Sequence, residues 1–144
     1  MPILTTIDST VLASWIKNDS ITILSGMTKD GDRTGELIGQ LSHDNQKTVI
    51  LARGSWNGEK EPSVIIPGLT MSQAIRLGVT YRQESILHDG WMVKLTKDGY
   101  VLDMIESKNW FTARDTEVNP DNDARGFTSF LDHTGKEYFL VYEF

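Results

Sequence analysis

Short apolar segments separated by turn-forming residues fill the chain after residue 85, and this pattern restricts the possible folds more than any other feature. Lys97-Asp98-Gly99 lies between two such segments, and residues 132–136 lie between two more. Turn sequences that contain aspartate and glycine between β-prone stretches are typical of β-hairpins. We therefore predict two C-terminal hairpins, with strands at residues 91–95 and 100–105, and at residues 127–131 and 137–142.

Three stretches of the first half favour helices. Asp8-Ser9-Thr10 supplies N-cap residues before an apolar helical face, and Asp30 is positioned to cap a second helix. Thr70 and Gln73 satisfy the capping-box pattern of a third helix. Between and after these helices the composition predicts strands at residues 21–26, 48–52, 63–66 and 85–88.

These elements predict an α+β fold, formed by a single compact domain over residues 1–144 with a mixed or antiparallel sheet and about three short helices. A chain of this length buries about two thirds of its unfolded surface, so it needs no disulfide or metal to fold. The strands at 48–52 and 63–66 are expected to pair through a loose loop. The polar run at 113–126 is interpreted as a mobile loop within the domain, because residues that break secondary structure dominate it.

Charge and composition exclude several classes of function. Fourteen basic and twenty acidic residues give a net charge of −6, which opposes binding to a phosphate backbone, so we do not expect duplex nucleic acid as a partner. The absence of cysteine excludes disulfides and thiolate chemistry. The three histidines lack the spacing of metal ligands, and we expect neither a metal nor a cofactor.

The distribution of apolar residues indicates where the protein acts. No apolar run approaches the roughly 18 residues of a membrane span, and the N-terminus has no basic segment followed by an apolar one. We therefore expect a soluble cytoplasmic protein without a membrane partner, and an oligomer is compatible with this composition.

Two polar segments that run directly into apolar strands form the most site-like feature of the chain. Glu61 and Ser63 introduce one strand, and Gln83, Glu84 and Ser85 introduce another, so two neighbouring strands are expected to present them at one edge of the core. Two carboxylates brought together can serve as acid and base, because their repulsion raises the pKa of one of them. The simpler interpretation is that both glutamates end strands in water.

Individual residues elsewhere allow functional and structural interpretations side by side. Arg33, at the start of the second helix, can help to bind an anion, or can pair with neighbouring aspartates. Trp56 and Tyr81 can line a pocket or a partner-binding face, although core packing explains aromatic residues by default. His88, at a strand end, can act as an acid or base, although a solvated histidine is the commoner case.

Several of these residues also form an ordered set of motifs. In chain order the motifs are Ser25-Gly26, Asp30-x-x-Arg33-x-x-x-Leu37, Gly54-x-x-x-Gly58, Glu61-x-Ser63-x-x-Ile66 and Tyr81-x-Gln83-Glu84-Ser85-Ile86-Leu87. This order resembles a family of small bacterial and phage proteins of unknown function, with relatives in T4-like phages. The resemblance covers residues 21–88 and leaves 89–144 as a C-terminal hairpin extension. Two positions depart from the family pattern, since Asp30 replaces its asparagine and Arg82 replaces its usual glycine.

The resemblance implies an α+β fold and a phage origin, without an activity, substrate or cofactor. It marks as site positions Arg33, Glu61, Ser63, Gln83, Glu84 and Ser85. From these we expect an accessory or counter-defence protein that binds and inhibits a host or defence protein, or sequesters its nucleotide signal, without catalysis. The alternative is a small hydrolase or transferase that acts on a nucleotide-like substrate through Glu61 or Glu84, with Arg33 stabilising negative charge.

Overall fold

The structure is a computed structural model that describes residues 3–18, 20–28, 31–44, 48–56, 59–96, 98–106, 109–114 and 126–143. Within these ranges the helices are α1 Ser9–Asn18, α2 Thr34–Asp44 and α3 Met71–Thr80. The strands are β1 Ile3–Leu4, β2 Ile21–Ser25, β3 Met27–Thr28, β4 Gly31–Asp32, β5 Val49–Trp56, β6 Glu59–Pro67, β7 Ser85–His88, β8 Trp91–Leu95, β9 Val101–Glu106, β10 Asn109–Arg114, β11 Gly126–Leu131 and β12 Glu137–Glu143. The predicted α+β fold is confirmed, and so are both C-terminal hairpins, β8–β9 and β11–β12.

One sheet contains most of the strands. Nine strands follow the order β10-β12-β11-β5-β6-β2-β7-β8-β9, and β1 adds to β5 as the parallel member of an otherwise antiparallel set among the described strands. The strands β9 and β10 lie at opposite ends of this order, yet only residues 107 and 108 separate them in the sequence. Because such a connection spans at most about 11 Å, the sheet must curl until its two ends approach each other.

Helices cover the sheet on both faces. On one face, Leu37 of α2 and Leu77 of α3 belong to the same buried cluster as Val64 of β6. On the other face, Leu12 of α1 shares a second cluster with Ile65. Neighbouring residues of a strand point to opposite faces, so the uninterrupted apolar run of β6 is explained by burial on both sides.

The ends of two helices agree with the sequence signals. The Asp8 carboxylate accepts the N–H of Thr10 at 2.8 Å where α1 begins. At the start of α3, Thr70 Oγ1 accepts the N–H of Gln73 at 3.1 Å, and Gln73 Oε1 accepts the N–H of Thr70 at 2.9 Å, which confirms the capping box. For α2, the Asp32 carboxylate accepts the N–H of Thr34 at 2.9 Å, while the predicted cap Asp30 lies outside the described residues.

The prediction of a loose loop between β5 and β6 is wrong. The two strands remain paired as far as Trp56 and Glu59, and Gly54 lies opposite Glu61 within the ladder. A Cβ atom at Gly54 would lie 2.6 Å from Ser63 Oγ, so this glycine allows a close approach between strands instead of forming a turn.

The predicted bounds of the loop at 113–126 are wrong at both ends. The strand β10 extends to Arg114, and β11 begins at Gly126. Residues 115–125 lie outside the described part of the chain. The strand β10 was not predicted, because only two residues separate it from β9 and they contain no turn-forming pair.

Gly26 is where the chain leaves β2 and turns towards α2. Its N–H donates to the Pro62 carbonyl at 2.9 Å, and its carbonyl accepts the N–H of Arg33 at 2.8 Å. A Cβ atom here would lie 1.8 Å from Thr34 Oγ1 and 2.9 Å from the Thr34 backbone. The absence of a side chain at residue 26 therefore lets the start of α2 pack against the end of β2.

We predict that Gly26→Ala lowers the free energy of unfolding by about 2 kcal/mol, because the new methyl group overlaps the Thr34 backbone. Gly39→Ala is the matched control, since Gly39 lies inside α2 with open space around it. The control is expected to raise the free energy of unfolding by about 1 kcal/mol through helix propensity. Urea denaturation of both variants checks this pair, and equal effects would contradict the close packing at Gly26.

Candidate functional site

The side chain of Gln83 closes the end of β2. Its Oε1 accepts the N–H of Ser25 at 3.0 Å, and its Nε2 donates to the Ser25 carbonyl at 2.8 Å. In an antiparallel sheet, a residue of a neighbouring strand makes the same pair of backbone bonds. Here the Gln83 side chain makes them, two residues before β7 begins. Gln83 is 8% exposed, so this predicted site residue is used in holding the fold.

Ser25 also connects Glu61 to this network. The Ser25 hydroxyl donates to Glu61 Oε2 at 2.5 Å, and Ser25 lies opposite Ser63 in the β2–β6 ladder. The structure therefore brings Glu61, Ser63 and Gln83 together around Ser25, which the sequence prediction included in a motif but not in the site. Hydrogen bonding of this kind uses the carboxylate of Glu61 within the protein itself.

The predicted pairing of the two polar strands is wrong. The strand β2 lies between β6, which carries Glu61, and β7, which Glu84 immediately precedes. The antiparallel order of the sheet therefore separates the two glutamates across a strand. Glu84 is exposed, whereas Glu61 is partly buried beside Ser25. The two carboxylates accordingly do not form an adjacent acid–base pair.

Arg33 and Tyr81 join the two helices on the same face of the sheet. The Arg33 guanidinium lies 5.1 Å from the centre of the Tyr81 ring, and its Nη2 lies 2.7 Å from Glu36 Oε2. The Tyr81 hydroxyl donates to Gln40 Oε1 at 2.7 Å. These contacts place Arg33 beside a buried aromatic ring and a carboxylate, an arrangement that stabilises the packing of α2 against the end of α3.

The remaining predicted residues lie apart from this network. Ser85 is exposed at the start of β7 and lies opposite Lys94. Trp56 ends β5, and its side chain lies outside the described part of the structure.

A cleft opens beside Gln83, between the end of α3 and the end of β8. It has a volume of about 380 Å³, and its walls are formed by Val79, Thr80, Arg82, Gln83, Glu84, Leu95 and Thr96. Two predicted site residues, Gln83 and Glu84, belong to these walls. The sequence prediction missed Arg82 and both threonines as members of a shared cleft, because its walls combine the end of α3 with the end of β8.

Arg82 has an unusual backbone conformation. Its φ is 51°, in the left-handed region that favours glycine. For an arginine this conformation costs about 1 kcal/mol. The conformation belongs to the end of α3, where the N–H of Arg82 donates to the Val79 carbonyl at 3.1 Å and the N–H of Gln83 donates to the Gly78 carbonyl at 2.8 Å, the Schellman pattern that ends many helices.

A second surface lies on the edge strand β9. Tyr100 is 71% exposed and Leu102 is 68% exposed, and Val101 and Met104 are exposed as well. β9 pairs with β8 and ends the described order of the sheet. The prediction treated residues 100–105 as an ordinary hairpin strand, because it had no sheet order from which to recognise an edge.

His88 is buried, so the interpretation of a solvated strand end is wrong. The histidine is 4% exposed, and its Nδ1 lies 2.7 Å from Thr22 Oγ1 in the middle of the sheet. Burial lowers the pKa of His88 below its ordinary value, and the nearby Asp89 carboxylate opposes this shift in part. Thr22 is fully buried, so this pair has no access to a substrate.

Comparison with known proteins finds no match for this chain. The chain matches no family model, no curated protein and no solved structure. None of the described helices has the length and apolar character that crossing a membrane requires. Among the described residues, no group of three or more histidine, aspartate or glutamate side chains is arranged to hold a metal ion.

We predict that Gln83→Ala lowers the free energy of unfolding by about 2 kcal/mol, because it removes both hydrogen bonds between the Gln83 amide and the partly buried backbone of Ser25. Gln73→Ala is a useful comparison, since it removes a glutamine from the exposed capping box and is expected to cost about 1 kcal/mol. Urea denaturation measures both. A Gln83→Ala variant as stable as the wild type would show that the amide bridge does not support the fold.

We predict that acid destabilises the protein through His88. Because its pKa is lower in the folded than in the unfolded chain, the unfolded chain takes up a proton first as the pH falls below about 6.5. The stability that neutral His88 contributes is present above this pH and is lost as the pH falls through the lowered pKa. His88→Gln should reduce the loss of unfolding free energy between about pH 7.5 and pH 5.5.

Urea denaturation at each pH measures this effect in the wild type, in His88→Gln and in the control His133→Gln. His133 is exposed, and its Nδ1 lies 2.8 Å from Thr6 Oγ1 at the surface. A pH dependence that His88→Gln leaves unchanged would contradict the assignment to His88.

Proposed function

We propose that this chain is a non-enzymatic binding protein that contacts a protein partner through the exposed residues of Tyr100 and β9, called here the β9 surface. The observation that carries the proposal is the concentration of exposed apolar side chains on one edge strand. Among the described residues seven large apolar side chains are exposed, and four of them lie between residues 100 and 104. Scattered apolar residues are normal on a protein surface, whereas a contiguous group indicates an interaction site.

The backbone of β9 is protected against uncontrolled pairing. The β8–β9 register shifts at Leu102, and the Asp103 carboxylate accepts the N–H of Met104 at 2.9 Å. A bulge and a charged residue are devices that keep an edge strand from aggregating. Side-chain contacts with a chosen partner remain available, and an exposed tyrosine beside aliphatic residues is a suitable anchor for them.

The position of the glutamates supports binding over catalysis. Glu61 is hydrogen-bonded to Ser25, and β2 separates it from Glu84. The alternative activity, a hydrolase or transferase for a nucleotide-like substrate, would therefore depend on Glu84, which lines the cleft together with Arg82. That pair of charges is the one observation that favours the alternative.

The biological setting is proposed from the resemblance to small phage proteins. Under this proposal the chain is a phage-encoded accessory or counter-defence protein in the host cytoplasm, which binds and inhibits a host or defence protein or sequesters its nucleotide signal. The left-handed φ of Arg82 supports the resemblance, because glycine, the family's usual residue at this position, is the residue that this conformation favours.

We predict that Leu102→Ser weakens capture of a host protein by about tenfold or more, because it removes an exposed apolar contact from the β9 surface. Leu131→Ser is the matched control, since Leu131 is 42% exposed on β11, away from this surface. Pull-down from host lysate with the wild type and both variants, followed by mass spectrometry of proteins and small ligands, measures the effect.

Two results would overturn the proposal. Capture that is unaffected by Leu102→Ser, or reduced equally by Leu131→Ser, would show that the β9 surface is not the interface. Turnover of a nucleotide-like substrate that disappears in a folded Glu84→Gln variant would establish the alternative activity instead.

A further inference from the structure

The strands β7, β8 and β9, called here the β7–β9 unit, join the rest of the sheet through a short ladder. In the described strand order this unit follows β2, so the β2–β7 pairing is its connection to the other strands. That pairing aligns two residue pairs, Thr22 with His88 and Ile23 with Leu87, whereas β2 and β6 align five. A short ladder has few backbone hydrogen bonds, so the attachment of the unit depends on side chains as well.

Side chains at both ends of β7 extend this ladder. Before β7, the Gln83 amide bonds both backbone groups of Ser25. After β7, the Asp89 N–H donates to the Ile21 carbonyl at 3.0 Å, and the Asp89 carboxylate accepts the Ile21 N–H at 2.8 Å. Both ends of β2 are therefore held by a residue close to an end of β7. We call this set of contacts between β2 and residues 83–89 the β2–β7 seam.

His88 lies inside the seam. Its ring is 4% exposed, and its Nδ1 lies 2.7 Å from the Oγ1 of the fully buried Thr22. Across the two ladders it lies opposite Thr22 of β2 and Trp91 of β8, neither of which carries a charge. Among the described residues, the charged group that acts on the ring is Asp89, whose Oδ2 lies 3.7 Å from Nε2. Burial lowers the pKa of His88, and Asp89 offsets this shift in part.

We propose that the β2–β7 seam is a pH-sensitive switch, which releases the β7–β9 unit at acid pH before the rest of the sheet unfolds. The closed seam holds the His88 ring neutral between two strands, whereas an open seam exposes it to water, where it accepts a proton. The packing of Ile86 and Val93 against Leu24 sets the cost of opening at neutral pH. Such local opening is distinct from the unfolding of the whole chain that urea measures.

The direction of the pH effect follows from the number of bound protons. The open form takes up a proton on His88 as the pH falls below about 6.5, whereas the closed form takes one up only at a lower pH. Acid therefore favours the open form. Between about pH 7.5 and pH 5.5 the opening equilibrium constant is expected to rise several-fold, with about tenfold as the upper limit. Because β9 belongs to the unit, the same switch loosens the attachment of the β9 surface.

Hydrogen–deuterium exchange of the full chain, followed by mass spectrometry of its peptides, tests the inference. Exchange is measured at pH 7.5 and pH 5.5, and each rate is divided by the intrinsic exchange rate at that pH. At both pH values, peptides from β7 and β8 should exchange at least about tenfold faster than peptides from β5 and β6, because the unit opens by itself. The corrected rate of the β7 and β8 peptides should rise several-fold at pH 5.5.

Two variants assign the pH response to the seam. His88→Gln removes the titrating ring, so its corrected exchange rates at the two pH values should be equal. Asp89→Asn keeps an acceptor for the Ile21 N–H and suits the left-handed φ of 47° at residue 89, but removes the charge that offsets burial. Its pH response should therefore rise towards the tenfold limit. The control His133→Gln changes an exposed histidine outside the seam and should respond as the wild type does.

Equal corrected rates for the β7–β8 and β5–β6 peptides would overturn the inference, because the sheet would then open only as a whole. A corrected rate of the β7–β8 peptides that is the same at both pH values would also overturn it. So would a wild-type response in His88→Gln, or a response in Asp89→Asn that is smaller than in the wild type. The exchange experiment contains no partner, so its outcome is independent of the proposal for the β9 surface.

Discussion

The pairing of the Gln83 side chain with the backbone of Ser25 is the contact on which the rest of the site depends. The strand β2 lies in the middle of the sheet, and the N–H and carbonyl of its last residue are partly buried. The Gln83 amide satisfies both groups, which allows the chain to leave the sheet at Gly26 and begin its turn towards α2. Gly26 then bonds to Arg33 just before α2, and Arg33 lies over the Tyr81 ring.

The same bridge separates residues that bond to one another inside the protein from residues that are exposed at the cleft. Ser25, Glu61 and Gln83 bond to one another or to the backbone inside the protein, and they have little capacity left for another molecule. Arg82 and Glu84 flank the bridge but point outwards, where they are exposed. In the polar segment 82–84, the middle residue therefore supports the fold, while the residues on either side of it are exposed at the cleft.

The features that the sequence predicted are those encoded by neighbouring residues. The capping box of Thr70 and Gln73 needs four consecutive residues, and the hairpin turns need even fewer, so both were recognised without knowledge of the fold. The contact between Ser25 and Gln83 joins residues 58 positions apart and depends on the order of strands in the sheet. Sequence alone does not reveal that order. For this reason Glu61 and Glu84 were expected to be neighbours although β2 lies between them.

The cleft and the β9 surface meet at a single turn, which decides how the two can be distinguished. Thr96 donates its N–H to the Tyr100 carbonyl at 2.9 Å and accepts the N–H of Tyr100 through its hydroxyl. A change at Thr96 would alter a wall of the cleft and the first residue of the β9 surface together, so it would report on neither alone. Leu102 belongs to the β9 surface and Glu84 belongs to the cleft walls, so substitutions at these two residues separate partner binding from the alternative activity.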